Sequence, residues 1–267
     1  MSRQYDIKKV LAIILADKGG VGKSFIAQIV HEMMKGPDEQ HSVFCIDSDV
    51  GNSSTKQIFP DAEFAGVRDA NDIASVGVIT KSIRDLGNGV LDGVIWDTAA
   101  GSEEIVMDSI MPILLRLAAK CKIKIVVYRP ITTSQYTQDG AVAFAEWAKE
   151  NDVAVVFVRN LGQGRAAKYF ADWAELPDRK AVMPPAVEAT LPDLGCWIAD
   201  EAASLRLSLG DVALARFDRL TEKGRAVADR KFTPAVQMAV ADWLEMRCDE
   251  FAAITAEAIA NISKKSA

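Results

Sequence analysis

Residues 10–24 read VLAIILADKGGVGKS: an apolar run breaks into a glycine-rich loop, and a helical pattern follows at once. No other stretch limits the fold as much. A short Val/Ile/Leu run without polar alternation fits a strand buried on both faces. Such a strand leading directly into a helix is the opening of a parallel strand–helix–strand unit. The loop between them, D-K-G-G-V-G-K-S at 17–24, carries the residues that hold phosphate. Its glycines let consecutive backbone N–H groups converge on phosphate oxygens. The helix that starts near Lys23 adds the positive end of its dipole. Lys23 is positioned as a point charge for the β- and γ-phosphates, and the Ser24 hydroxyl suits Mg²⁺.

The alternation continues. SVFCID (42–47), GVIWD (93–97), IKIVVY (123–128) and VAVVFV (153–158) are further Val/Ile-rich runs. Helices are predicted at about 23–35, 103–119 and 134–150, the second opened by Ser102 ahead of Glu103 and Glu104. AVMP (181–184) reads as one more short strand, and KSIRDLGNG (81–89) as a solvated surface segment. From about 198 the pattern is helical, and Thr233-Pro234 caps a last long helix over about 233–262. The expected fold is α/β: a doubly wound, mostly parallel sheet flanked by helices. The chain, 1–267, reads as a single domain, with about 198–267 as its helical C-terminal subregion.

At 267 residues and 49% apolar content, the chain can bury a large core. Its net charge of −6 argues against steering to nucleic acid by the mean field. Four cysteines stand singly, without C-x-x-C spacing, which excludes a zinc-knuckle pattern and fits a reducing compartment. The N-terminal MSRQYDIKKV is polar and charged, unlike a secretory signal. The apolar run after it falls well short of the ~20 residues a membrane span needs. These features together lead us to expect a soluble, cytoplasmic protein.

One position departs from the common phosphate loop: Asp17 stands where a glycine is usual, and Lys18-Gly19-Gly20 follows. K-G-G-x-G-K-[ST] resembles the deviant loop of the ParA/MinD group of P-loop ATPases. The resemblance implies that Lys18 reaches across a homodimer interface to the phosphates of the partner's nucleotide, much as an arginine finger does. It implies that Lys18, Gly19, Gly20, Val21, Gly22, Lys23, Ser24 and Phe25 hold ATP. VFCIDSDVGN (43–52) resembles the group's first switch, which gives Asp49 the role of orienting the attacking water and Asp47 that of supporting Mg²⁺. LDGVIWDTAAG (91–101) resembles the Walker-B strand and second switch; Asp97 would hold Mg²⁺ with Ser24, and Gly101 would offer its N–H to the γ-phosphate. The group often has D-T-P-P-G there, and the two alanines leave this turn less rigid. Asn160, ending VVFVRN, corresponds to an adenine-reading asparagine. No N-K-x-D or T-K-x-D signature for guanine is present, which favours ATP over GTP.

Within the group, no cysteine lies in a recognisable cluster motif, and Cys45 and Cys121 read as packed side chains. The tail AAITAEAIANISKKSA lacks bulky aromatics and would make a weak membrane tether. Met238, Trp243, Met246 and Phe251 are expected to pack against the domain or a dimer partner. Arg216, Arg219, Lys223, Arg225, Arg230 and Lys231 could contact non-specific DNA, or form an ordinary solvated helix face. The expected function is an ATP-hydrolysing, dimerising switch, stimulated by a partner protein, that positions or segregates cargo such as plasmid DNA. The alternatives are a plasmid-transfer accessory ATPase and a small-molecule ATP-dependent enzyme on the same scaffold. The second would need substrate groups near the γ-phosphate, whereas His31 and His41 lie on or beside the first helix.

Overall fold

The computed structural model describes residues 7–36, 38–49, 54–67, 72–162 and 170–263. Val50 and Gly51 of the first-switch segment, and the two chain ends at 1–6 and 264–267, lie outside the described residues.

Seven strands form one sheet in the order β3-β2-β4-β1-β5-β6-β7. They are β1 (Val10–Ile14), β2 (Val43–Asp47), β3 (Glu63–Phe64), β4 (Gly93–Asp97), β5 (Lys124–Ile131), β6 (Ala154–Asn160) and β7 (Val187–Leu191). Every described pairing is parallel. β1 sits at the centre with three strands on each side. Its residues alternate between two cores: Val10, Ala12 and Ile14 face one, Leu11 and Ile13 the other. Both faces are therefore covered, which explains the unbroken apolar run.

On the first face lie α1 (Lys23–Lys35) and α12 (Pro234–Ser263), with α9 (Cys196–Ser204), α10 (Leu209–Ala213) and α11 (Glu222–Lys231). On the second lie α3 (Ile73–Gly87), α5 (Met111–Cys121) and α6 (Gln135–Glu150). Four short helices complete the described set: α2 (Ser54–Ile58), α4 (Glu103–Ile105), α7 (Ala171–Glu175) and α8 (Pro177–Val182). A π-helical turn at Val106–Ile110 joins α4 to α5, so the stretch expected as one helix over 103–119 carries a wider turn inside it.

Two expectations are corrected. AVMP (181–184) is not a strand: α8 opens with Pro177 in its first turn and runs to Val182, and β7 begins only at Val187. Pro184 and Pro185 have no N–H to give a ladder, so pairing starts beyond them. KSIRDLGNG is largely the end of α3, whose Ile79, Ile83 and Leu86 are buried at helical spacing. Quoting only its last turns hid that period. Of the residues expected to pack against the domain or a dimer partner, Phe251 is buried and Trp243 packs against Phe25 at a centroid distance of 5.8 Å, while Met238 and Met246 are 67% and 61% exposed on this chain. No helix among the described residues is long and apolar enough to cross a membrane.

Candidate functional site

Strand register brings the expected acids together. Ile14 of β1 pairs with Asp97 of β4, and Asp97 pairs with Asp47 of β2, so all three lie at one level at the carboxyl ends of the strands. That edge is where open parallel sheets bind ligands.

Loop 17–24 leaves β1 here and enters α1 through Gly22, at φ +96 and ψ 21. A side chain at 22 would be strained by that φ, and its Cβ would lie 2.5 Å from Asn160 Nδ2. Asn160, at the end of β6, donates from Nδ2 to the Val21 carbonyl at 2.9 Å, and its Oδ1 accepts the Gly162 N–H at 2.8 Å. The amide expected beside adenine is thus bonded to the loop backbone in this arrangement. Lys23 is buried, while Lys18, Gly19 and Gly20 are exposed at the rim. Burial lowers the Lys23 pKa, and the carboxylates of Asp97, Asp49 and Asp17 act against that shift.

Asp97 is 2% exposed. Its Oδ2 accepts two hydroxyl protons, from Ser24 Oγ at 2.7 Å and Thr55 Oγ1 at 2.6 Å. Its Oδ1 is buried without a hydrogen-bond partner among the described residues. Burial pushes the carboxyl up to about 6, although the Thr55 and Ser24 bonds oppose the rise. A buried carboxylate oxygen left without a partner is costly, and a cation or its bound water would relieve that cost. An all-oxygen pair of carboxylate and hydroxyl suits a hard divalent ion such as Mg²⁺. The residues present therefore fit the implied cofactor.

Asp47 is fully buried, and both its oxygens accept backbone N–H groups that follow it in the chain: the Asp49 N–H donates to Oδ1 at 2.9 Å, the Lys56 N–H to Oδ2 at 2.8 Å. Burial raises its pKa, and those two N–H groups work against the rise. Asp47 is thus a strut for the loop that carries Asp49. Gly101 donates its N–H to the Asp17 carbonyl at 2.8 Å, tying the segment after β4 to loop 17–24. The Asp17 carboxylate in turn accepts the Tyr136 hydroxyl at 2.6 Å. Two residues beyond Gly101, Glu103 pairs with the buried Arg129 at 2.8 Å.

A cleft of about 380 Å³ runs from Lys18–Gly22 past Phe25 and Asn160 to a far wall formed by Leu191–Gly195, Ala199 and Asp200. Sequence reading missed that wall, and it missed Thr55, Ser54 and Tyr136. A run of hydroxyl residues shortly after the strand-end Asp47 was the available signal for Ser54 and Thr55. The wall had none, because it depends on β7 lying beside β6.

A glycine-rich loop opening the helix after the central strand of a doubly wound parallel sheet, with acids at the ends of the adjacent strands, is the P-loop NTPase fold. No protein-family profile matches the chain, and no curated protein does. Among solved structures it is similar to an Archaeoglobus fulgidus nucleotide-binding protein in complex with ADP, at 17% identity over 69% of this chain and 82% of that one, TM-score 0.39. It is similar to the MinD cell division protein of Aquifex aeolicus, at 14% identity over 83% and 96%, TM-score 0.46. An McdA–ATP complex from Cyanothece matches at 13% identity over 84% and 96%, TM-score 0.46.

The basic segment is largely self-neutralised. Arg216 pairs with Glu39, Arg219 with Asp211 at 2.6 Å, Arg225 with Asp218 at 3.6 Å and Lys231 with Glu201 at 3.2 Å. Among the described residues, Lys223 and Arg230 form no ion pair.

Proposed function

We propose that the chain is a ParA/MinD-like ATPase, a switch that dimerises on ATP and opens on hydrolysis. The observation that carries this reading is the Ser24–Asp97 pair: a loop hydroxyl bonded to one oxygen of a buried carboxylate whose other oxygen has no partner, beside a buried Lys23. The N–H groups of 19–24 and the Lys23 ammonium bind the triphosphate, with Phe25 and Asn160 flanking the cleft. Ser24 and Asp97 hold Mg²⁺, and Asp47 supports them by fixing the first-switch backbone. A cation held there would neutralise charge that builds on the phosphate oxygens. Asp49 orients the water that attacks the γ-phosphate. Gly101 exchanges the Asp17 carbonyl for a γ-phosphate oxygen. Lys18, exposed at the rim, crosses to the nucleotide of a second copy.

Loss of the γ-phosphate frees Gly101 and Lys18, and the pair separates. Positioning of a cargo, stimulated by a partner protein, is the use this reading gives the cycle. Non-specific DNA contact through 216–231 has weaker support, since four of its six cations are already paired. The chain, 1–267, is read as one domain, supported by α12 packing on α1 and on β5 to β7.

Lys18→Ala is the test. Monomers should still bind nucleotide, but ATP-dependent dimerisation, followed by light scattering, and ATP hydrolysis should both be lost. A variant that dimerises and turns over like the parent sinks the trans-lysine reading. Hydrolysis that appears only with an added small co-substrate would favour the metabolic alternative.

A further inference from the structure

Ser54 and Thr55 open α2 beside Ser24 and Asp97. Counting protons shows what they do. The Ser24 hydroxyl has one proton, and it goes to Asp97 Oδ2 at 2.7 Å. The 2.6 Å contact between Ser24 Oγ and Ser54 Oγ is therefore donated by Ser54. Thr55, fully buried, donates its proton to the same Asp97 Oδ2 at 2.6 Å. The result is asymmetric. Asp97 Oδ2 is doubly satisfied, and among the described residues Oδ1 has no hydrogen-bond partner and Ser24 keeps a lone pair unused. Those are the two oxygens a divalent cation would use.

The same segment reaches the other acids. The N–H groups of Asp49 and Lys56 both bond Asp47, and Thr55 is the residue just before Lys56. The loop carrying Asp49 is thus attached to Asp47 through its backbone and to Asp97 through the Thr55 hydroxyl.

We propose that Thr55, assisted by Ser54, is a positioning residue that turns Asp97 and Ser24 toward a divalent cation and ties the first switch to its presence. The proposal rests on the nucleotide reading above.

Thr55→Val keeps the shape and removes the donor; Thr55→Ser restores it. Binding of a fluorescent ATP analogue is measured in EDTA and across a MgCl₂ titration, with melting temperature alongside. In EDTA the Val variant should bind as the parent does. The Mg²⁺ concentration that gives half the gain in affinity should rise about 10-fold in Thr55→Val, as expected for a lost bond to a charged group, and return to the parent value in Thr55→Ser. A Val variant with the parent's Mg²⁺ midpoint overturns the proposal, whether or not it melts lower, because a packing role alone would leave that midpoint in place. Should Thr55→Val not fold, Ser54→Ala carries the same expectation through Ser24. A parent that binds the analogue without any Mg²⁺-dependent gain would overturn this assignment alone, whereas a parent that binds no analogue at all would overturn the nucleotide reading and this assignment with it.

Discussion

Replacing Asp97 by Asn should separate what the site costs the fold from what it does for a ligand. The carboxyl titrates at about 6 against an ordinary 3.8, chiefly because it is buried. A difference of roughly two pH units corresponds to about 3 kcal/mol between protonated and ionised forms. The sign follows from which state holds the proton. Between pH 4 and 6 the folded chain keeps a proton on Asp97 that the unfolded chain has lost, so this group makes stability fall as pH rises. Above pH 6 the penalty is fully present; below pH 4 it is gone.

Asn cannot ionise, and its carbonyl can still accept from Ser24 and Thr55. Its NH₂ in the place of Oδ1 lacks a partner, which costs about 1–3 kcal/mol. That cost is the same at every pH. Urea unfolding in EDTA at pH 4, 6 and 8 should therefore show Asp97→Asn gaining on the parent by about 3 kcal/mol between pH 4 and pH 8. Mg²⁺ with nucleotide should stabilise only the parent at pH 8. A stability difference that does not change with pH would refute the assignment of the raised carboxyl to Asp97.

Gly22→Ala meets both a positive φ and Asn160 Nδ2 at 2.5 Å. Left-handed strain of about 1–2 kcal/mol and the lost Asn160–Val21 bond of about 1 kcal/mol should lower the urea stability by about 2–3 kcal/mol and abolish nucleotide binding; a parent-like midpoint would contradict the loop geometry. Asp49→Ala should bind ATP and accumulate as the dimer without turning over, as followed by phosphate release and light scattering. Rapid phosphate release by that variant would remove Asp49 from its role.

The parts of the site legible in the sequence are those whose neighbours are close in the chain. The phosphate loop is eight consecutive residues, and its glycines and Lys23 declare themselves without tertiary contacts. Asp47 and Asp97 were legible because each ends an apolar run, and a parallel sheet places strand ends on one edge. The hydroxyl run ending at Thr55 was visible, but its bond was not: the partner Asp97 is 42 residues away, and only the β2–β4 register brings the two together. The Asn160 bond to Val21 likewise crosses 139 residues and depends on β6 standing two places from β1. The basic run at 216–231 read as an open face because its acidic partners, Glu39, Glu201 and Asp211, lie on other elements.

The bond from Gly101 to Asp17 sets how far a γ-phosphate could move the second switch. A ligand shifts an equilibrium only by the difference between what it offers in each state. Gly101 already has a neutral carbonyl at 2.8 Å, a bond worth about 1 kcal/mol net, while a bond to a charged oxygen is worth about 1.5–3 kcal/mol. The exchange then yields about 0.5–2 kcal/mol per protomer, roughly a 2- to 30-fold bias. That is too little to drive one switch from mostly open to mostly closed, which takes about 5.5 kcal/mol. In the proposed cycle the shortfall falls to Lys18, because a lysine meeting the other protomer's phosphates gains only when both copies are loaded. Asp17 matters to both contributions. Its carbonyl holds Gly101 and its carboxylate is anchored by Tyr136, directly beside Lys18 in the chain. A glycine at 17 would supply the carbonyl without the anchor, so the departure from the common loop lies between the Gly101 contact and Lys18.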